Sequence, residues 1–185
     1  QRHRQPLQDQ AQDVLAQAKL HKLHEKIQGA RDSGDTTVAL ASMDEVIAGN
    51  PEVEKSLGTK KFIALLDLGQ FERAYAYGDR LVTTVYHEEP GALNMIAWTV
   101  VDPESKLEHR DYEFSIKAAK RACELTEWKD PAILDTLALG LFESGNYTKA
   151  LKIQEKAVEY AKGTQYEEEL TGRLEKFRKA VREQG

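Results

Sequence analysis

The chain has a single cysteine, Cys123, so an intrachain disulfide is excluded, as is a paired-cysteine zinc or redox motif. Its setting, KRACELT, reads as a small apolar residue on a helix. No run of about 18 apolar residues is present, because the most apolar stretch, GALNMIAWTVV, stops at Asp102, so a membrane-spanning helix is not expected. Basic residues are not in excess: 26 Lys and Arg against 31 Asp and Glu leave a net charge of -5 with the signs interleaved. That balance lacks the basic stripe that nucleic acid or an anionic membrane surface requires. The opening QRHRQPLQDQ is polar, has no apolar core of a secretion signal, and reads as a cut or processed start, with residues 1–10 as a disordered tail or linker.

Motifs for catalysis are equally sparse. Glycines fall at turns and helix ends and form no phosphate-binding loop. His21 and His24 stand three apart beside Glu25, a spacing suited to two metal ligands, but no third or fourth ligand follows, and a solvated helix face is the favoured reading. The other histidines, His3, His87 and His109, lie in tail or turn segments with no nucleophile to serve. The acidic run YEEEL suits the first turn of a helix, where the macrodipole favours carboxylates. No catalytic residue, metal or cofactor is expected, and the chain is read as not an enzyme.

What the sequence does contain is a repeat. In ESGNYTKALKIQEKAV, Gly145-Asn146-Tyr147 marks a turn, and Ala150, Gln154 and Ala157 then follow along one helical stripe. The same offsets recur at Gly34-Asp35-Thr36 with Ala39, Met43, Val46 and Pro51, and at Gly69-Gln70-Phe71 with Ala74, Gly78 and Leu81. Gly34 and Gly69 are 35 residues apart; 35 beyond Gly69 falls on Glu104 and Gly145 lies 41 further on, which implies a six-residue insertion. The insertion belongs in DPESKLEHR, ahead of a third copy that has Asp111-Tyr112, Ser115, Ala119 and Ala122 but no turn glycine.

These offsets resemble the tetratricopeptide repeat (TPR), a helix-turn-helix unit of about 34 residues with small side chains where its helices touch. The fourth unit matches through Leu134, Leu137, Ala138, Leu141, Gly145, Tyr147, Ala150 and Ala157, and the first through Leu23, Ile27, Ala30, Gly34, Ala39, Val46 and Pro51. In the second, Phe62 replaces the usual small residue. The resemblance implies an all-α, right-handed TPR-like α-solenoid of four helical hairpins plus a C-terminal capping helix. The repeats span 11–164, at about 20–53, 55–88, 90–129 with the insertion, and 131–164. In the capping helix, 165–185, Tyr166, Leu170, Leu174, Phe177 and Val181 form the apolar face.

In this family the first helix of each unit lines a concave groove. The register carries His24 and Gln28, then Thr59, Lys60, Ile63 and Leu66, then Asn94, Trp98 and Val101, then Asp135, Leu139 and Phe142 into it. Of these, Lys60, Ile63, Asn94, Trp98, Asp135 and Leu139 are the expected ligand-binding residues, with polar groups fixing a peptide backbone and Trp98 and Ile63 as anchors. The alternative is that Trp98 is covered by the insertion or packs between units. The cationic clamp for a chaperone C-terminus is largely missing, since His24, Gln28, Lys60, Gly91 and Met95 occupy its positions.

Residues 93–161 also resemble the C-terminal helical region of bacterial thioredoxin-like redoxin proteins. The resemblance rests on Ala97-Trp98 ahead of Val101-Asp102-Pro103, the loop ending in Arg110-Asp111, Leu134-Asp135-Thr136-Leu137-Ala138, and Gln154-Glu155-Lys156-Ala157. It implies an accessory or dimerisation domain of a bacterial envelope or periplasmic redox protein whose cysteine-bearing domain is absent here. Expected partners are therefore a protein or peptide, with a thioredoxin-like domain and a homodimer as further candidates, and no nucleic acid.

Overall fold

Aspartate and proline together set where helices begin. The Asp130 carboxylate accepts from the Ala132 and Ile133 N–H groups at 2.9 and 3.1 Å, and Pro131 follows at the first helical position, where its missing N–H costs nothing. Asp111 caps its helix in the same way through Phe114 N at 2.9 Å. Glycine ends helices: Gly145, at φ +83, closes a turn in which Asn146 N reaches Leu141 O and Gly145 N reaches Phe142 O, satisfying carbonyls the helix would leave open.

The computed structural model describes Glu25, Gly29 and residues 36–183. Expectations for residues 1–10, for Leu23, Ile27, Ala30 and Gly34, and for His21, His24 and Gln28 lie outside the described residues. Among the described residues there are helices and no strand, and the fold is an all-α, TPR-like solenoid closed by a C-terminal helix. The chain divides into two compact units, Gln1–Gly69 and Gln70–Gly185.

In the first unit, α1 (Thr36–Gly49) leads through a 3-10 turn (Pro51–Val53) to α2 (Glu54–Asp67). Asn50 accepts from Glu52 N at 3.2 Å and starts that turn ahead of Pro51. Ala39 and Met43 of α1 meet Leu57 of α2 in a core flanked by Val46, Ile47 and Val53. Phe62, where the repeat usually has a small residue, is fully buried.

The second unit begins with α3 (Phe71–Arg80), which runs into a π-helical turn (Leu81–Val85). There follow α4 (Pro90–Val101), α5 (Tyr112–Leu125), α6 (Pro131–Glu143), α7 (Tyr147–Ala161) and α8 (Glu167–Glu183). Each of α4 to α8 packs on the next, and α4 also meets α6. Ala97, Ala118, Ala119, Ala122, Ala138, Ala150 and Ala157 are all fully buried, so small side chains bring the axes together. Ser115 takes part: its hydroxyl donates to the Ala97 carbonyl at 2.9 Å across the α4–α5 contact. Gly140 is buried where a Cβ would meet Ile116 Cγ1 at 3.2 Å. On α8, Leu170, Leu174 and Phe177 are buried; Tyr166, expected on the same face, precedes the helix and is 39% exposed, because the chain has not yet turned onto α7.

Candidate functional site

The expected groove residues divide between the two units. On α2, Lys60 is exposed, Thr59 and Ile63 are half-buried, and Leu66 is in the core. On α4, Asn94 and Trp98 are half-buried and stand one turn apart, and Met95 beside them is 54% exposed. The Oδ1 of Asn94 is buried and has no hydrogen-bond partner among the described residues. Trp98 packs against a core of Val101, Ala138, Leu139, Ala150 and Phe177, and the Arg173 guanidinium lies over its ring, 5.6 Å from the centroid.

Asp135, Leu139 and Val101 are corrections to the groove expectation. All three are buried, Asp135 at 4% and Leu139 at 5% exposure, because α8 lies where the register alone would leave an open wall. Phe177 of α8 stacks on Phe142 of α6 with ring centroids 4.2 Å apart and planes 4° from parallel. Arg173 Nη1 approaches Asp135 Oδ2 to 3.0 Å, an ion pair that is off the hydrogen-bond line. Gln154 of α7, fully buried, donates from Nε2 both to Asp135 Oδ1 at 2.7 Å and to the Leu170 carbonyl at 3.1 Å. Burial nevertheless raises the Asp135 carboxyl above its ordinary value, against the opposing pull of Arg173 and Gln154. Asp135 thus joins α6, α7 and α8 internally and offers no free carboxylate to a peptide.

Gln154 and Arg173 were not among the residues singled out in the sequence as functional. Gln154 did carry a signal, as the polar member of the Ala150–Ala157 stripe: a buried amide there requires a partner. Arg173 carried none, since one arginine among the many charges of α8 looks solvated.

The insertion is a built structure. Arg110 Nη1 donates to the carbonyls of Val100 and Asp102 at 2.7 and 2.9 Å, and Nη2 donates to that of Ser105 at 2.6 Å, closing the C-terminal end of α4. Tyr75 of α3 donates from its hydroxyl to the His109 carbonyl at 2.7 Å and accepts from Asp111 N at 3.0 Å. An open cavity of about 500 Å³ lies beside this junction.

Cys123 is fully buried, and burial pushes its thiol up to about 12, so it presents no thiolate. Among the described residues no group of three His, Cys, Asp or Glu is arranged to hold a metal, and no helix is long and apolar enough to cross a membrane.

Alternating helices that pair through small residues define a TPR-like protein. No protein-family model matches the chain, and no curated protein matches it. Among solved structures it is similar to the crystal structure of MamA protein, at 16% identity and TM-score 0.56, covering 89% of this chain and 88% of that one. The MamA RS-1 ArsTM double mutant matches at 14% identity and TM-score 0.55, with 89% of each chain covered. MamA 41-end from Desulfovibrio magneticus RS-1 matches at 15% identity and TM-score 0.53, covering 89% of this chain and 90% of that one. At these identities the likeness carries the fold alone, and it adds nothing to the redoxin resemblance.

Proposed function

We propose that this chain is a non-catalytic binding module that takes up an extended segment of a protein or peptide along the stripe of α4 formed by Asn94, Met95 and Trp98. Lys60 and Ile63 form a separate contact patch on α2. The observation that carries the reading is the exposed Met95 between half-buried Asn94 and Trp98 on α4, a mixed apolar and polar stripe. Met95 adapts its flexible thioether to varied side chains, and the exposed part of Trp98 supplies anchor area. The fold likeness to MamA is in keeping with a protein-binding role and names no partner.

The test is affinity capture from a lysate with the wild type against Trp98→Ala plus Asn94→Ala, with circular dichroism to show that both fold. Loss of specific partners in the variant supports the reading; identical partner lists discard it. Asn94→Leu sharpens the test, because it removes an unsatisfied acceptor and is expected to hold or raise the melting temperature while abolishing capture. The alternative, an accessory or dimerisation domain of a thioredoxin-like redox protein, rests on residues 93–161 alone and gains no support from the comparisons. A stable dimer by size-exclusion with light scattering would favour it.

A further inference from the structure

The insertion builds a cavity that the groove reading does not use. Its walls come from α3 (Phe71, Glu72, Tyr75), from the end of the insertion (His109, Arg110), and from the start of α5 (Asp111, Tyr112, Glu113). Phe71 and His109 meet with ring centroids 4.7 Å apart, and Tyr75 packs on Phe114 at 5.4 Å, so the walls are aromatic and braced. We propose that this cavity binds the guanidinium of an arginine carried on an extended segment of a partner protein.

Charge selects the occupant. The lining holds three carboxylates, Glu72, Asp111 and Glu113, against the single cation Arg110. Arg110 directs its donors back onto the carbonyls of Val100, Asp102 and Ser105. Asp111 is engaged as the cap of α5 through Phe114 N, which also removes that helix end as an anion site. Glu72 and Glu113 are exposed and have no ion-pair partner among the described residues, so two carboxylates from different helices are open to a cation. Aromatic faces beside carboxylates favour guanidinium over ammonium, because its flat, weakly hydrated plane stacks while its edge donates to carboxylate. A volume of about 500 Å³ admits such a side chain together with flanking backbone.

The experiment titrates the 15N-labelled full chain with a pentapeptide Gly-Gly-Arg-Gly-Gly, blocked at both ends, and with counterparts carrying citrulline or lysine in place of arginine. The arginine peptide is expected to shift amides within 71–75 and 109–113, the citrulline peptide to leave them unmoved, and the lysine peptide to bind more weakly. Glu72→Gln and Glu113→Gln are each expected to weaken the arginine peptide about two- to fivefold, with only a small drop in melting temperature, since both side chains are exposed and each stands in the first turn of its helix. Trp98→Ala plus Asn94→Ala is expected to leave this titration unaltered, which separates the cavity from the α4 stripe. Absence of shifts, shifts elsewhere, equal binding of the citrulline or lysine peptide, or undiminished binding by both glutamine variants would each overturn the proposal.

Discussion

Arg173 and Asp135, 38 positions apart in the chain, form an ion pair at 3.0 Å with side chains only 12% and 6% exposed. The pair fastens α8 to α6, Gln154 joins it from α7, and Trp98 lies under the guanidinium. Removing one partner strands the other charge in a site with little water. Arg173→Ala is expected to cost about 3–5 kcal/mol, whereas Arg173→Met with Asp135→Leu is expected to cost much less, as read from urea unfolding of the four members of the cycle. A double-variant loss equal to the sum of the two single-variant losses would mean that the pair is not coupled.

The same carboxyl makes stability depend on pH. Burial holds Asp135 above its ordinary 3.8, so the folded chain keeps the proton more tightly than the unfolded one. Its contribution is therefore fully present below the unfolded value and is lost as pH rises through the raised folded value. Wild-type stability relative to Asp135→Asn is expected to fall as pH climbs from about 4 toward neutrality. A difference that stays flat across that window in a series of denaturant titrations would contradict the assignment.

Ala150 tests the packing of the fourth hairpin. It is fully buried in a cluster with Val101, Ala138, Leu139 and Phe177. Ala150→Leu is expected to cost about 1–3 kcal/mol by overpacking, seen as a lower melting temperature in calorimetry. An unchanged melting temperature would show that α6 and α7 are not in close contact there.

Arg110 tests the insertion. Its three hydrogen bonds to backbone carbonyls hold the segment from Asp102 to Arg110 against the end of α4. Arg110→Ala is expected to destabilise by about 1.5–3 kcal/mol and to speed tryptic cleavage at Lys106, followed by mass spectrometry. Cleavage at the wild-type rate would mean that other contacts hold the loop.

Much of the helical layout is legible in the sequence. Gly69 and Gly145, read as turns from their spacing, adopt φ +68 and +83, a region that costs other residues more. The small residues Ala138, Ala150 and Ala157, read as contact points, are fully buried. The third copy lacks its turn glycine, and its helix is started instead by the Asp111 cap. The candidate site was less legible. Asn94 and Trp98 keep exposed area on α4, but Asp135 and Leu139, in matching positions on α6, are covered by Phe177 and Arg173 of a helix two elements later.

The turns at Gly69 and Gly145 and the small or apolar stripes of the helices around them could be read from the chain alone. Those properties depend on residues within a turn or two of one another, so a local pattern encodes them. Tertiary structure alone decided which groove-facing side chains became core, that Gln154 would join Asp135 to the backbone of α8, and that Arg110 and Tyr75 would shape the insertion into a cavity wall. Each of these is a polar contact or a covering surface, set by how closely distant segments approach and how much water remains between them.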